Sequence, residues 1–318
     1  SGNIICFLIE YKQTRREHMD WIIGMQKAID YIEDNLTESI DYEKIAAQSF
    51  SSSYHFQRVF SILCGFTLGE YIRNRRLSLA GTELAASDAK IMDIALKYGY
   101  ESPDSFAKAF QKFHGVLPSQ ARSNGGTLRS FSRLVLKLSL EGGSTMNYRI
   151  EETPGMILTG YKCHFSGVPG EREEQEKDMY IHTRPLQYIL QGLSGRLDLN
   201  YDVIANIDDD GYDFYIAYLL PEFYRNNLHK PGVLGEAFAG YYENITIPKQ
   251  RYAVFETERC TYPTTVSLGL RRRVIAEWLP ASGYQLANAP EIVVTHWYRG
   301  DNSKNRYREL WIPIEKQK

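Results

Sequence analysis

"SPDSFAKAFQKFHG" (residues 102–115) and "SSSYHFQRVF" (residues 51–60) decide how this chain is read. Phe56 answers to Phe106, Phe60 to Phe110 and Gly65 to Gly115, so one small helical device occurs twice, fifty residues apart. In the first copy "DYEKIAAQS" reads as a helix with Ile45 and Ala46 inward and Asp41 as its N-cap, and Ser52 or Ser53 caps the next helix. There Phe56, Val59, Phe60 and Leu63 fall at i, i+3, i+4 and i+7, one buried stripe, while Tyr54, Gln57, Arg58 and Ser61 share the opposite face. In the second copy "KIMDIALKYGYES" supplies the first helix and Gly99 the turn. Phe106, Ala109, Phe110 and Phe113 make the stripe, with Asp104, Ser105, Lys108 and Gln111 outside. Two helices joined by a short turn, the second with a compact polar face, describe a helix-turn-helix. Its second helix suits a major groove, where Gln and Arg make bidentate contacts with base edges.

One such pair is more often an ordinary protein surface. The duplication changes that reading, because the copies are joined by a long helix candidate, "LGEYIRNRRLSLAGTELAAS". A rigid joint of that kind lets one monomer span two adjacent major grooves, about 34 Å apart. The basic run Arg73, Arg75 and Arg76 on it fits a solvated face as well as a phosphate contact.

The chain has 318 residues, room for two domains with real cores, and a formal net charge of -2, so any attraction to nucleic acid must be local. No run of about 18 apolar residues offers a membrane span. Cys6, Cys64, Cys163 and Cys260 are scattered without metal-ligand or disulfide spacing, so no metal or cofactor is expected and a reducing cytoplasm is the simplest setting. Residues 1–18 read as an N-terminal arm: "IICFLIEYKQTRREH" ends in charges and is a poor signal peptide. Residues 19–124 are helical in pattern, 125–146 a Gly-rich linker with one strand, and 147–318 an α+β domain. In that domain strands are expected near 148–152, 157–164, 213–219, 242–247, 252–258, 291–298 and 306–314, and helices near 173–192 and 265–279. "RIEETPGMILTGY" and "ENITIPKQRYAVFE" look like two copies of strand, Pro-containing turn, strand, which suggests two similar halves.

The stretch "YGYESPDSFAKAFQKFHGVLPSQAR" (98–122), with "IAAQSFSSSYHFQRVF" before it, resembles the AraC/XylS family of transcription regulators over about 100 residues. The resemblance implies two helix-turn-helix subdomains that bind promoter DNA as a double strand, with RNA polymerase as a further partner. By position it assigns base or phosphate contact to Ser53, Tyr54, Gln57 and Arg58 in the first recognition helix, and to Asp104, Ser105 and Lys108 in the second. Phe50 departs from the family, standing where a turn glycine is usual, and Asp104 is acidic, suited to a cytosine amino group rather than a phosphate. Further on, "IPKQRYAVFE", "EWLPASGYQL" and "ELWIPIEK" resemble the GyrI-like effector-binding domains, and the order of the two parts resembles the Rob-type arrangement. That family implies two strand-helix-strand modules around an aromatic-lined groove with a carboxylate.

The last strand agrees by its own alternation. Leu310, Ile312 and Ile314 share one face, suited to helices, and Tyr307, Glu309 and Trp311 share the other. A carboxylate between two aromatic rings is an environment for a cation. The expected small-molecule effector is therefore lipophilic and cationic or aromatic, held by Glu309, Tyr307 and Trp311, with Trp297 and Tyr215 as additions. Two other classes stay open: a GyrI-like hydrolase, using a Glu and a Tyr to activate water, and a module that holds a protein such as a topoisomerase. No Ser-His-Asp order, metal spacing or phosphate loop favours catalysis, and the reading is of a regulator, not an enzyme.

Overall fold

Four helices of the N-terminal half begin where a side chain satisfies their first free N–H groups. In the computed structural model, which describes residues 23–123, 127–136, 145–169, 173–228, 240–298 and 300–316, α1 covers 23–34. Asp41 accepts from the Glu43 N–H at 2.9 Å and opens α2 (Tyr42–Ala47), and Ser52 accepts from the His55 N–H at 3.2 Å and opens α3 (Ser53–Cys64). Thr67 and Glu70 form a reciprocal capping box at the start of α4 (Leu68–Ala86). After α5 (Ile91–Lys97), Ser102 accepts from the Ser105 N–H at 3.2 Å and opens α6 (Pro103–His114); α7 (Pro118–Ser123) follows. Each such cap contributes about 1 kcal/mol.

The α4 helix carries both copies of the device. Its C-terminal half places Leu77, Ala80 and Leu84 against Ile94, Ala95, Phe106 and Phe110. Its N-terminal half places Tyr71 against Phe60, ring centroids 5.9 Å apart. Phe56, Phe60, Phe106 and Phe110 are at most 2% exposed, and such burial contributes roughly 1.5–3 kcal/mol per ring. Gly81 is small for a reason: a Cβ there would fall 2.6 Å from the His114 ring, whose Nε2 donates to the Leu77 carbonyl at 2.9 Å.

The basic run on α4 is mostly structural. Arg75 grips Glu33 at 2.7 and 2.8 Å and the Phe131 carbonyl at 2.5 Å, and Arg76 donates to the carbonyls of Leu36 and Glu38 at 2.7 and 2.6 Å; Arg73 is exposed. The described residues 127–136 contain no strand; the rest of the 125–146 segment in which one was expected lies outside the described residues except for 145 and 146. The run bonds to α4: the Phe131 N–H donates to Ser78 Oγ at 3.0 Å and the Leu134 N–H to the Tyr71 hydroxyl at 3.1 Å.

The chain divides into two compact units, one of residues 1–60 and 66–140, the other of residues 61–65 and 141–318. The second is built on β1 (Tyr148–Thr153), β2 (Met156–Phe165), β3 (Leu199–Ala205), β4 (Tyr212–Tyr218), β5 (Glu243–Ile247), β6 (Gln250–Glu256), β7 (Tyr284–Leu286), β8 (Glu291–His296) and β9 (Tyr307–Lys316). All pairings are antiparallel, in the order β1-β6-β9-β8-β3-β4-β2-β5, with β7 also on β9. The expected internal repeat is visible in the register. An offset of 94 residues carries Pro154 onto Pro248, the β1·β6 pairing onto β5·β2, and the β2·β4 pairing onto β6·β9. The same offset carries Tyr215 onto Glu309.

Helices lie over one face. The expected helix 173–192 is two, α8 (Glu173–His182) and α9 (Arg184–Ser194), broken at Thr183 because Pro185 lacks the N–H that a continuous helix needs. Short α10 (Glu222–Asn227) follows β4, and α11 (Thr264–Arg273) runs on into a π turn at Val274–Trp278. Met179 and Leu190 cover Phe165, Ile204, Phe214 and Ile216 on this face. It also holds buried ions in pairs. Arg308 donates to Asp202 at 3.1 Å, to Thr295 at 3.1 Å and to Ser267 of α11 at 3.2 Å, and Arg271 grips Glu291 at 2.9 and 3.2 Å. The opposite face gathers Leu158, Val203, Tyr215, Tyr252, Val254 and Ile292. No described helix is long and apolar enough to cross a membrane.

Candidate functional site

The two turns that position the second helix of each device share a backbone path but not a residue type. In the second, the Tyr100 N–H bonds the Ala95 carbonyl at 2.9 Å and Gly99 takes φ +82°. In the first, the Ser51 N–H bonds the Ala46 carbonyl at 3.2 Å, and Phe50 takes φ +54° with its ring 87% exposed. Phe50 thus does a glycine's work in the left-handed region, without compensation from burial.

On α6 the face lies as the periodicity predicts: Asp104, Ser105, Lys108 and Gln111 are exposed, while Phe106 and Phe110 are wholly buried. The α3 helix differs. Ser53, Tyr54 and Gln57 are half-buried, with Gln57 Nε2 donating to Ser53 Oγ at 3.0 Å. Arg58 and Ser61, expected on the open face, are 3% and 4% exposed, and Leu63, expected inside, is 36% exposed. Beside Phe56, Val59 and Phe60, the buried residues of α3 include His55, Arg58, Ser61 and Ile62. Burial draws the Arg58 guanidinium pKa below its ordinary value.

In the second unit the β-strands bring a different group together. A cavity of about 270 Å³ is lined by Met156, Leu199, Tyr201, Ile292, Val294 and Trp311, with Arg196, His296 and Glu309 as its polar members. Glu309 sits opposite Val294 on one side and Glu256 on the other. Its carboxylate is 11% exposed and already bonded: Trp311 Nε1 donates to it at 2.9 Å, Arg149 Nη2 lies 3.1 Å away, and His296 Nε2 stands at 3.5 Å. Burial alone would raise its pKa, but His296, Trp311 and the Arg149 charge together hold it below the ordinary carboxylate value.

Of the five residues expected to hold a ligand, the cavity gathers Glu309 and Trp311. Tyr215 belongs to the same face but is packed in its core at 5% exposure. Tyr307 shares the face too, yet its ring is stacked on His296 at 4.1 Å and lies under the Arg259 guanidinium at 4.0 Å, so its π surface is taken by the chain itself. Trp297 does not close this cavity. It lies past the end of β8, and its N–H donates to Asn200 Oδ1 at 2.5 Å, within the polar network of the helix-covered face. Sequence reasoning missed His296, Tyr201 and Met156, and above all Arg149. For His296 a signal existed, since it alternates with Ile292 and Val294 along one side of a predicted strand.

Comparison with known proteins places both units. A family model described as a helix-turn-helix domain matches residues 45–124, and one described as an integron-associated effector binding protein matches residues 200–314. The chain is 40% identical over 114 residues to the HTH-type transcriptional activator AarP of Providencia stuartii, covering 36% of this chain and 83% of that one. It is 34% identical over 100 residues to the multiple antibiotic resistance protein MarA of Escherichia coli (strain K12), covering 31% of this chain and 79% of that one. Among solved structures, SAV2435 bound to tetraphenylphosphonium is similar with a TM-score of 0.40 and 18% identity, over 54% of this chain and 94% of that one.

Proposed function

Because the chain belongs to the AraC-type helix-turn-helix family of DNA-binding transcription regulators, with a GyrI-like effector-binding domain behind the DNA-binding part, we propose that it is an activator that reads an asymmetric duplex through both helix-turn-helix devices. The exposed row Asp104, Ser105, Lys108 on α6 supports the second contact, and Ser53, Tyr54 and Gln57 on α3 the first. RNA polymerase at the same promoter is the partner this role requires. Gel-shift titration of the full chain over a salt series tests the DNA reading. Lys108→Ala should weaken all duplexes alike and reduce the slope of log affinity against log salt by about one. An unchanged slope would remove Lys108 from the interface.

The second unit takes a lipophilic small molecule bearing a positive charge. One observation carries this reading: a cavity with mostly apolar walls holds a single carboxylate, Glu309, beside the Trp311 ring. A cation against an aromatic ring contributes about 0.5–2 kcal/mol. A matched pair of probes isolates the charge: 1-methylquinolinium and the neutral 1-methylnaphthalene have nearly the same shape. Calorimetry should show that Glu309→Gln weakens the first and leaves the second nearly unchanged. Equal losses for both would make Glu309 a structural residue.

A further inference from the structure

Arg149 is the outermost member of a row that crosses three strands on the cavity face. It pairs with Val254 of β6, and Val254 pairs with Trp311 of β9. From the edge strand β1 its guanidinium reaches over Val254 to two features at once. Nη2 stands 3.1 Å from Glu309, and Cζ lies 5.9 Å from the centroid of the Trp311 ring. A carboxylate and an indole face are what a cationic aromatic ligand would need here, so the chain already supplies a cation of its own. The arrangement is unequal in burial, with the Arg149 side chain 39% exposed and Glu309 11%. Arg149 also has other carboxylates to hold: Nη1 donates to Glu256 at 3.2 Å and Nε to Glu151. It can release Glu309 and keep two counter-ions, whereas Glu309 cannot be left uncompensated at that depth.

We propose that Arg149 is a built-in competitor for the cation subsite: ligand binding replaces it on Glu309 and Trp311 and leaves it on Glu151 and Glu256. The inference rests on the reading of the cavity as a cation site. It makes Arg149 the residue that sets the affinity threshold and selects for ligands whose charge and aromatic surface act together. A neutral molecule leaves the Arg149–Glu309 pair in place and gains nothing from its removal. A bare inorganic cation cannot replace the contact with the indole. Since Arg149 is the second residue of β1, where the chain enters the sheet, the exchange also changes what holds the start of that strand.

The test is calorimetry of 1-methylquinolinium and 1-methylnaphthalene with the full chain, its Arg149→Gln and Glu309→Gln variants, and the double variant. Removing an internal ion pair of this exposure should raise cation affinity on the order of three- to tenfold. The neutral probe should change by less than about twofold, and in the Glu309→Gln background Arg149→Gln should have no effect on the cation. Arg149→Lys, whose ammonium cannot fork across several carboxylates, should give a smaller rise of about twofold, and it serves if the Gln variant fails to fold. The proposal is overturned if the wild type binds the cation through Glu309 while both Arg149 variants bind it no more tightly. Binding of neither probe by wild type or variant refutes the cavity reading, and this inference falls with it.

Discussion

Replacing Phe50 by glycine should make the first unit more stable. Phe50 holds φ +54° in the turn between α2 and α3, a conformation that costs a residue with a Cβ about 1–2 kcal/mol. Its ring is 87% exposed, so truncation removes almost no buried surface. The opposing term is the extra freedom that glycine gives the unfolded chain, roughly 0.5–1 kcal/mol. The balance is a gain of about 0.5–1 kcal/mol, which for a unit of this size raises Tm by roughly 3–6 °C. Phe50→Ala is the control, because it removes the ring but keeps the Cβ, and it should lie within about 0.5 kcal/mol of wild type. Thermal melts of the full chain and both variants, followed through the helical circular-dichroism signal, would separate the cases. A glycine variant no more stable than the alanine variant would refute the argument from backbone strain.

Two further outcomes follow from the paired charges. Burial raises the Glu33 carboxyl, but hydrogen bonds from Arg75 and Tyr71 override it and set the pKa below the ordinary value, so its contribution is present above the carboxylate range and lost as pH falls through the lowered pKa. Urea denaturation should therefore show wild type losing stability below about pH 4, and Glu33→Gln weaker by about 1–3 kcal/mol at neutral pH with a flatter acid limb; parallel acid limbs would contradict this. Asp202→Asn should cost about 3–5 kcal/mol in the same assay, because Arg308 would keep its burial and lose its counter-charge. A loss below 1 kcal/mol would mean that Arg308 finds another partner.

The second helix-turn-helix was legible because everything that makes it is local. Ser102 caps it, Phe106 and Phe110 stripe it, and Gly99 turns the chain into it, all within a dozen or so residues. The first was only partly legible, since periodicity sets which residues share a face but not which faces are covered, and Arg58 and Ser61, set outward by it, are buried. Strand β3 was missed because Asn200 and Asp202 interrupt its apolar run; they belong to a buried polar network completed by Tyr180, Trp297 and Arg308, the last over a hundred residues away. Glu309 and Trp311 could be paired from strand alternation. Arg149 could not be joined to them, because the link passes through two strand pairings, β1 to β6 and β6 to β9.

The 94-residue register also shows what the second unit gains from being a single chain. Each half keeps its own second, third and fourth long strands adjacent or nearly so, but gives its first strand to the other half: β1 adds to β6, and β5 adds to β2. Neither half therefore finishes its own sheet. A gene encoding one half would make a polypeptide with an open edge beside β2 or β6 and a first strand with no place to lie. Two such polypeptides could satisfy both needs by exchanging those strands about a twofold axis, through the contact that β3 and β8 now make. The unit is in this sense a strand-swapped dimer fused into one chain. Within a single chain the two halves need not be identical, and one places a carboxylate at position 309 where the other places the phenol of Tyr215.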